Sequence, residues 1–400
     1  MQIEELKKEI DRLVPEDAVS AAGRLRELWG LEPSASAAGF LVSRWEKLRS
    51  SLPLMPYRLA VLRSFTVEPV IPLLRAAAFT AGIDLAVHVG DFNAYAQEIL
   101  DAESGLYRFA PDAVILAAQC GDVAPEWWQD QSGLSVADSA AVSRRVLQQY
   151  RDWVRVFRER SRAHLILHNF EVPAVASRGI LDGQAEPGQA AAIQEWNREL
   201  RCLAREQPGV YVLDYDGLVA RHGRAAWCDE RKWLSVRLPI AASHLLHLAE
   251  EWMRFLHPLT GKLAKAVAVD LDNTLWGGII GEDGMAGIRA GVDYPGAAYR
   301  ALQQVLLDLY RRGILLAVCS KNNPEEALEA LEKHPGMLLR PEHFACMRIN
   351  WDDKARNLRE IAAELDIGID ALAFVDDNPV ERKLIRSALP EVTVKEMVCV

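Results

Sequence analysis

Short apolar segments alternate with amphipathic segments along the chain, and this alternation predicts the fold. Segments rich in Val, Ile and Leu occur at 58–64, 84–90, 111–118, 163–169 and 209–214. Their length and composition favour buried strands, and the longer segments between them have helical periodicity. Parallel strands need crossover helices on both faces of their sheet. The pattern therefore predicts a mostly parallel sheet covered by helices.

The same alternation begins again after the turn HPLTGK at 257–262. Further strands are predicted within 265–274, 314–322, 344–349, 371–379 and 392–396. A chain of 400 residues exceeds what one hydrophobic core usually organises. We therefore expect a helical segment and two α/β domains with parallel sheets, at 1–57, 58–258 and 262–400.

Composition and charge narrow the function. A formal net charge of −10 disfavours binding to nucleic acid, which requires a surplus of Lys and Arg. The N-terminal segment MQIEELKKEIDRL lacks the apolar core of a secretory signal, and no apolar run is long enough to span a membrane. We expect a cytoplasmic protein. The cysteines lack CxxC spacing, which favours free thiols: Cys120, Cys202, Cys228, Cys319, Cys346 and Cys399.

Polar side chains follow four predicted strands of the second domain. Ligands of open parallel sheets bind at the carboxyl ends of the strands. In chain order these side chains are Asp270 and Asp272, Cys319 and Ser320, Lys354, and Asp376 and Asp377. The sequence therefore predicts one crevice that contains carboxylates, a hydroxyl group and an ammonium group.

These groups are the ones that phosphoryl transfer requires. Asp270 would attack phosphorus, while Asp272 would protonate the leaving oxygen and then activate water. Crowded carboxylates repel one another unless a cation lies between them, and oxygen-only ligands suit Mg²⁺. We expect Mg²⁺ at Asp270, the backbone carbonyl of Asp272, and Asp376 or Asp377.

The four strand ends resemble the ordered motifs of the haloacid dehalogenase (HAD) superfamily, whose catalytic domain is Rossmann-like. The motifs here are DLDNT at 270–274, Ser320, Lys354 and the Asp pair of FVDDNP. The resemblance implies that Thr274, Ser320 and Lys354 bind phosphate. The longer motif DLDNTLWGGIIGEDG, together with VCSKNN, resembles the FkbH-like branch of this superfamily.

The first domain resembles SGNH-type hydrolases, which implies an SGNH/flavodoxin-like fold. The matching segments are SFTVEP, VGDFNAYAQEIL and HNFEVP. Ser64 follows the first strand, as an SGNH nucleophile would. However, the sequence lacks GDS, and no DxxH precedes the second domain, so Ser64 has no evident base. We expect a degenerate domain that positions the second domain or docks a partner, with hydrolase activity as the alternative.

The FkbH-like resemblance implies a glyceryl transferase and phosphatase. Such proteins take D-1,3-bisphosphoglycerate, remove its phosphates and load glyceryl onto the phosphopantetheine thiol of an acyl carrier protein for polyketide-type biosynthesis. Many relatives continue beyond the HAD domain, so we expect anything that such an extension provides to be missing or supplied in trans. Two alternatives remain, a plain phosphatase of a small phosphate monoester and a non-catalytic docking module for the carrier.

Two residues beside the crevice have two interpretations each. Cys319 could carry the glyceryl group as a thioester, because it precedes Ser320 and its thiolate could be stabilised by Lys321, Lys354 or the metal. It could equally be a small buried strand residue. Trp276 could form a flap over the site that excludes water, or it could pack against the neighbouring domain.

Overall fold

The chain folds into two compact units, each built on a parallel sheet. The computed structural model describes residues 2–129, 133–186 and 188–396. Its two units are Met1–Thr260 and Gly261–Val400. Each contains one five-stranded sheet whose neighbouring strands are all parallel. The prediction of two α/β folds with parallel sheets is confirmed, while the finer domain limits stay a prediction.

The first sheet has the strand order β2-β1-β3-β4-β5. Its strands are β1 (Met55–Arg63), β2 (Ile83–Val89), β3 (Ala113–Ala117), β4 (His164–His168) and β5 (Val210–Leu213). From β1 the chain adds β2 on one side, and it then adds β3, β4 and β5 on the other side. The position between β1 and β3 is therefore the topological switch point, where flavodoxin-like sheets bind ligands. The residues after β1 and β3 therefore occupy the position at which a ligand site is expected.

Helices cover both faces of the first sheet. They are α1 (Gln2–Leu13), α2 (Ala18–Leu31), α3 (Ala35–Leu48), α4 (Val70–Thr80), α5 (Tyr95–Leu100), α6 (Gly105–Phe109), α7 (Cys120–Val123), α8 (Pro125–Gln129), α9 (Val136–Arg160), α10 (Gln189–Glu206), α11 (Tyr215–His222), α12 (Arg224–Trp227), α13 (Glu230–Val236) and α14 (Leu245–Leu259). Side chains of β1 alternate between two apolar clusters: Leu59 and Val61 belong to one, and Ala60 and Leu62 to the other. Helices α1, α2 and α3 contribute to the first of these clusters.

Strand β1 begins earlier than the sequence pattern predicts. The prediction placed its start at residue 58, whereas the ladder to β2 already includes Met55 and Pro56. Pro56 obscured the start, since proline cannot donate to a ladder. It is accommodated because β3 pairs with β1 only from Leu59 onward, so Pro56 has a strand on one side alone.

The second sheet has the strand order β10-β9-β6-β7-β8. Its strands are β6 (Ala266–Val269), β7 (Leu315–Ser320), β8 (Phe344–Ile349), β9 (Leu372–Asp376) and β10 (Thr393–Glu396). Its helices are α15 (Ile280–Gly287), α16 (Gly296–Arg311), α17 (Pro324–Lys333), α18 (Lys354–Glu364) and α19 (Pro379–Ala388). The chain leaves β6 toward β7 and β8 and returns to β9 on the other side. The switch point therefore lies between β6 and β9.

Two separate apolar clusters pack against the two faces of the second sheet. Along β7, Leu316 and Val318 belong to one cluster, and Ala317 and Cys319 belong to the other. Five cysteines are free, and Cys399 lies outside the described residues. Within the described ranges, no helix combines the length and apolar character needed to cross a membrane.

Candidate active site

The polar residues predicted at the strand ends of the second sheet surround its switch point. Strand β6 is apolar and buried along its whole length, so the chain leaves the sheet at its first polar residue, Asp270. Asp376 ends β9, the neighbour of β6, and the backbone N–H of Asp270 donates to Val375 O at 3.0 Å. Lys354 opens α18, where Asp353 caps the helix by accepting from Arg356 N.

Lys354 joins the two strand-end carboxylates. Its Nζ lies 2.9 Å from Asp270 Oδ2 and 2.6 Å from Asp376 Oδ2. The residue is 3% exposed, so this is a buried ion triad. Burial by itself would lower the pKa of Lys354, but the charges of Asp270 and Asp376 outweigh it and raise that pKa. Lys354 therefore keeps its charge at the centre of the site.

Backbone donors orient both carboxylates. The N–H of Leu271 donates to Asp270 Oδ1 at 2.8 Å, and the N–H of Asn378 donates to Asp376 Oδ1 at 2.7 Å. Burial raises the pKa of Asp376, against the opposing effect of Lys354. The two side chains are thus held in place from the backbone side and from the ammonium side.

Three carboxylates at the switch point form a candidate metal centre. Asp270, Asp376 and Asp377 each offer one oxygen, and these atoms lie within 4.8 Å of one another. Burial and the nearby Asp270 raise the pKa of Asp377. An oxygen-only set of this charge fits a hard divalent cation. The sequence left Asp376 and Asp377 as alternatives, and the structure brings both to Asp270.

Three hydrogen-bond donors orient the side chain of Asp272. Its Oδ1 accepts from Trp276 Nε1 at 2.9 Å and from Ile280 N at 3.0 Å, and its Oδ2 accepts from Asn322 Nδ2 at 2.9 Å. Burial outweighs these hydrogen bonds and raises the pKa of Asp272, and the nearby Asp270 adds to the rise. A carboxyl group with a raised pKa suits a general acid.

Trp276 is a core residue. Its side chain has no exposed surface, and it packs in an apolar cluster made of residues from the second unit. This burial favours a packing role for Trp276, and a flap that excludes water stays a prediction. The adjoining glycine is required by space, because a Cβ at Gly277 would lie 2.7 Å from the ring of Tyr299.

The two hydroxyl groups predicted to bind phosphate are buried beside the carboxylates. Thr274 Oγ1 donates to Asp377 Oδ1 at 3.4 Å and accepts from Asp377 N at 3.3 Å. Ser320 Oγ accepts from Asn322 Nδ2 at 3.4 Å. Both hydroxyl groups lie at the same sheet edge as Asp270, and their role in binding phosphate stays a prediction.

Sequence reasoning missed Asn322. The amide is 3% exposed and is the residue that links Asp272 to Ser320. A signal was available, since Asn322 lies two residues after Ser320 within the motif VCSKNN. The neighbouring Lys321 pairs with Glu381 at 2.7 Å, so a carboxylate already balances its charge.

Cys319 lies on the opposite face of the second sheet from Leu316 and Val318. It has no exposed surface, and its Sγ is 3.8 Å from Lys354 O. Burial in this apolar cluster raises the pKa of the thiol well above its usual range, which leaves little thiolate. This position favours the interpretation as a buried strand residue, and an acyl-carrying role stays a prediction.

The first sheet carries different groups at its switch point. Ser64 follows β1 with no exposed surface, and its Oγ accepts from Gln119 N at 2.9 Å. Burial raises the pKa of Asp122, although a hydrogen bond from Ser64 opposes the rise. This hydroxyl group is thus buried and already hydrogen-bonded, and a degenerate role for the first domain stays a prediction.

Comparisons with known proteins agree with this architecture. The N-terminal part of protein BF1531 from Bacteroides fragilis, containing a phosphatase domain and complexed with Mg, is 25% identical with a TM-score of 0.77, covering 98% of this chain and 93% of that chain. A lipase from a goat rumen metagenome is 14% identical with a TM-score of 0.37, covering 50% of this chain and 96% of that one. A gut microbial diltiazem-metabolizing enzyme is 11% identical with a TM-score of 0.36, and the match covers 54% of this chain and 50% of that one. TM-scores as low as these last two do not establish a common fold.

A search among curated proteins finds no significant match. A model of the FkbH N-terminal domain matches residues 58–257, which is half of the chain. The protein therefore belongs to the FkbH family.

Proposed function

We propose that the second unit is a Mg²⁺-dependent phosphatase of the HAD type with Asp270 as its nucleophile. The observation that carries the proposal is the buried triad in which Lys354 Nζ bridges Asp270 and Asp376. A buried ammonium group costs free energy unless it is paired. Its position at the switch point suits the stabilisation of a transferring phosphoryl group.

The positions of these residues support the following proposed roles. Asp270 attacks phosphorus, and the bond from phosphorus to the ester oxygen breaks as the aspartyl-phosphate forms. Asp272 gives its proton to the departing oxygen. Water then attacks the aspartyl-phosphate, Asp272 takes a proton from that water, and inorganic phosphate leaves.

Mg²⁺ fits the oxygen donors of Asp270, Asp376 and Asp377. When bound there, it would neutralise negative charge that develops on the phosphoryl oxygens. The Mg complex of the phosphatase-domain structure from Bacteroides fragilis supports this choice of ion. In this chain, EDTA should remove activity and Mg²⁺ should restore it.

We further propose that the substrate is D-1,3-bisphosphoglycerate and that glyceryl is loaded onto an acyl carrier protein. Membership of the FkbH family supports this finer proposal. The carrier's thiol attacks the acyl carbon, the bond from carbon to the phosphate oxygen breaks, and the thiol proton is released. Asp270 removes the remaining phosphate ester.

Incubation with the acyl phosphate and a pantetheinylated carrier tests both levels, with intact mass as the readout. A glyceryl-sized adduct on the carrier supports the full proposal. If free phosphate appears without an adduct, the alternative of a phosphatase acting on a small phosphate monoester remains. If neither product forms, only the alternative of a docking module for the carrier remains.

Cys319→Ala distinguishes two routes to the carrier. If the carrier's thiol attacks directly, the variant loads the carrier at a near-normal rate, as the burial of Cys319 favours. If Cys319 first carries the glyceryl group, the wild-type chain gains a glyceryl-sized mass without carrier, and Cys319→Ala does not load the carrier.

A further inference from the structure

Three histidines of the first unit lie together, away from the groups discussed so far. His222 is the last residue of α11, His244 ends the 3-10 turn Ala242–His244, and His247 is in the first turn of α14. Each offers one ring nitrogen, and these nitrogens lie within 4.8 Å of one another. Each of the three side chains is partly exposed.

Neighbouring groups already orient two of the rings. Trp227 stacks on His244 with ring centroids 5.2 Å apart and 15° between the ring planes. The Nδ1 of His247 lies 3.5 Å from Glu250 Oε2. A carboxylate on one ring nitrogen is the usual outer partner of a metal-binding histidine, because it fixes the ring and leaves the other nitrogen for the ion.

His244 supplies an independent observation. Its Nδ1 is enclosed by protein and has no hydrogen-bond partner. Buried polar atoms of side chains are almost always paired, so an unpaired ring nitrogen beside two further imidazoles needs an explanation. A bound ion that takes a nitrogen from this histidine would explain why the three rings are gathered there.

We propose that His222, His244 and His247 bind one divalent transition-metal ion, with Zn²⁺ as the representative case. Three neutral imidazoles leave one position of a tetrahedral ion open to water. Imidazole nitrogen selects transition metals over Mg²⁺, whose preferred ligands are oxygens. His222 and His247 are stacked at 4.0 Å and 12°, so binding requires rotation of these side chains within their present helices.

The ion would close a loop in the chain. His222 and His244 enclose residues 223–243, which contain α12 and α13. Within this segment, Cys228, Trp233 and Arg237 line a cavity of 630 Å³ near the switch point of the first sheet. Metal binding would therefore restrict the motion of residues that form the wall of that cavity.

Titration of the full chain with Zn²⁺ tests the proposal. The protein is first stripped with a chelator and then kept in excess Mg²⁺, which occupies oxygen-only sites. Calorimetry should show one saturable Zn²⁺ site, and Co²⁺ should give the visible absorption typical of nitrogen ligands. Hydrogen exchange within 223–243 should slow when Zn²⁺ binds.

Variants assign the site. His222→Ala and His247→Ala should each lose it, and Glu250→Ala should weaken it by roughly 10- to 100-fold. The matched control is His164→Ala, a partly exposed histidine on β4, which should bind as the wild type does. Asp270→Asn should also retain the site, so failure of the phosphatase proposal and failure of this one are distinguishable.

The proposal is overturned if the wild-type chain has no saturable Zn²⁺ site in excess Mg²⁺. It is also overturned if His222→Ala and His247→Ala bind Zn²⁺ with unchanged stoichiometry and affinity. Far-ultraviolet circular dichroism of each variant shows whether the fold is retained. A variant that unfolds is replaced by the corresponding Gln substitution, which is read in the same way.

Discussion

Both sheets are parallel and five-stranded, but their strand orders differ, and so does what happens to charge at their carboxyl edges. In the first unit, burial lowers the pKa of His168 to about 3 and raises the pKa of Glu171 to about 8, so both groups are mostly neutral near pH 7. In the second unit, Lys354 is buried too but keeps its charge, because Asp270 and Asp376 pair with it. The chain thus contains one parallel sheet whose carboxyl edge is neutralised and one whose carboxyl edge retains charge for chemistry.

Replacing the residue after the first strand of each sheet should give the largest contrast. Asp270→Asn should reduce phosphate release to the background of the assay, since an amide is neither a nucleophile nor an anionic ligand. Ser64→Ala, the equivalent change in the first sheet, should leave phosphate release unchanged. Release of inorganic phosphate from both variants, each checked for folding by circular dichroism, is the measurement. Comparable turnover in Asp270→Asn would remove this residue from the mechanism.

Removing Lys354 should cost stability as well as activity. Lys354→Met leaves two buried carboxylates without their cation, and breaking a buried pair in this way typically costs about 3–5 kcal/mol. Lys321→Met is the matched control, because it breaks the partly exposed pair with Glu381 and should cost about 1 kcal/mol or less. Urea unfolding measures both. Equal losses in the two variants would mean that burial does not distinguish these ion pairs.

Variants of Asp272 and Asn322 should distinguish a catalytic role from a positioning role. Asp272→Asn should lower kcat by roughly 10²- to 10⁴-fold, the usual contribution of a general acid or base. Asn322→Ala should have a smaller effect on rate and should raise the pKa of Asp272 further, because the amide donates to the carboxylate. The basic limb of the kcat/KM profile should then move to higher pH. An unmoved profile would leave Asn322 with a packing role alone.

The last effect concerns the neutralised edge and appears only as a slope in stability against pH. Glu171 holds its proton up to about pH 8 when folded but loses it near 4.5 when unfolded. The unfolded state therefore binds fewer protons between these values, and the free energy of unfolding falls as pH rises through that window. Glu171→Gln should flatten this fall, which is at most about 1.4 kcal/mol per pH unit. Tryptophan fluorescence can follow the transition, since most tryptophans lie in residues 1–260. An unchanged slope would argue that Glu171 is ionised in the folded protein.

The sequence predicted the architecture better than the environments of single side chains. Apolar strands such as AVAV are local signals, so the two sheets and the strand-end positions of Asp270 and Lys354 could be predicted from the pattern. The start of β1 was obscured by Pro56, since partial pairing of a strand is decided by its neighbours. The burial of Trp276 could not be predicted, because a Trp-Gly-Gly turn fits a surface flap as well as a core anchor. The side on which Cys319 packs depends on the cluster beneath the sheet, which a short motif does not describe.

Because Trp276 donates a hydrogen bond to Asp272, this buried tryptophan can serve as a spectroscopic probe of the site. The indole N–H donates directly to the proposed general acid, so its local field changes with the charge on that carboxyl group. The chain contains 11 tryptophans, and a fluorine label on the indole gives each its own resonance in principle. Comparing the labelled wild type with Trp276→Phe assigns that signal. Its shift with pH, Mg²⁺ or a phosphate analogue would then follow the site without any turnover.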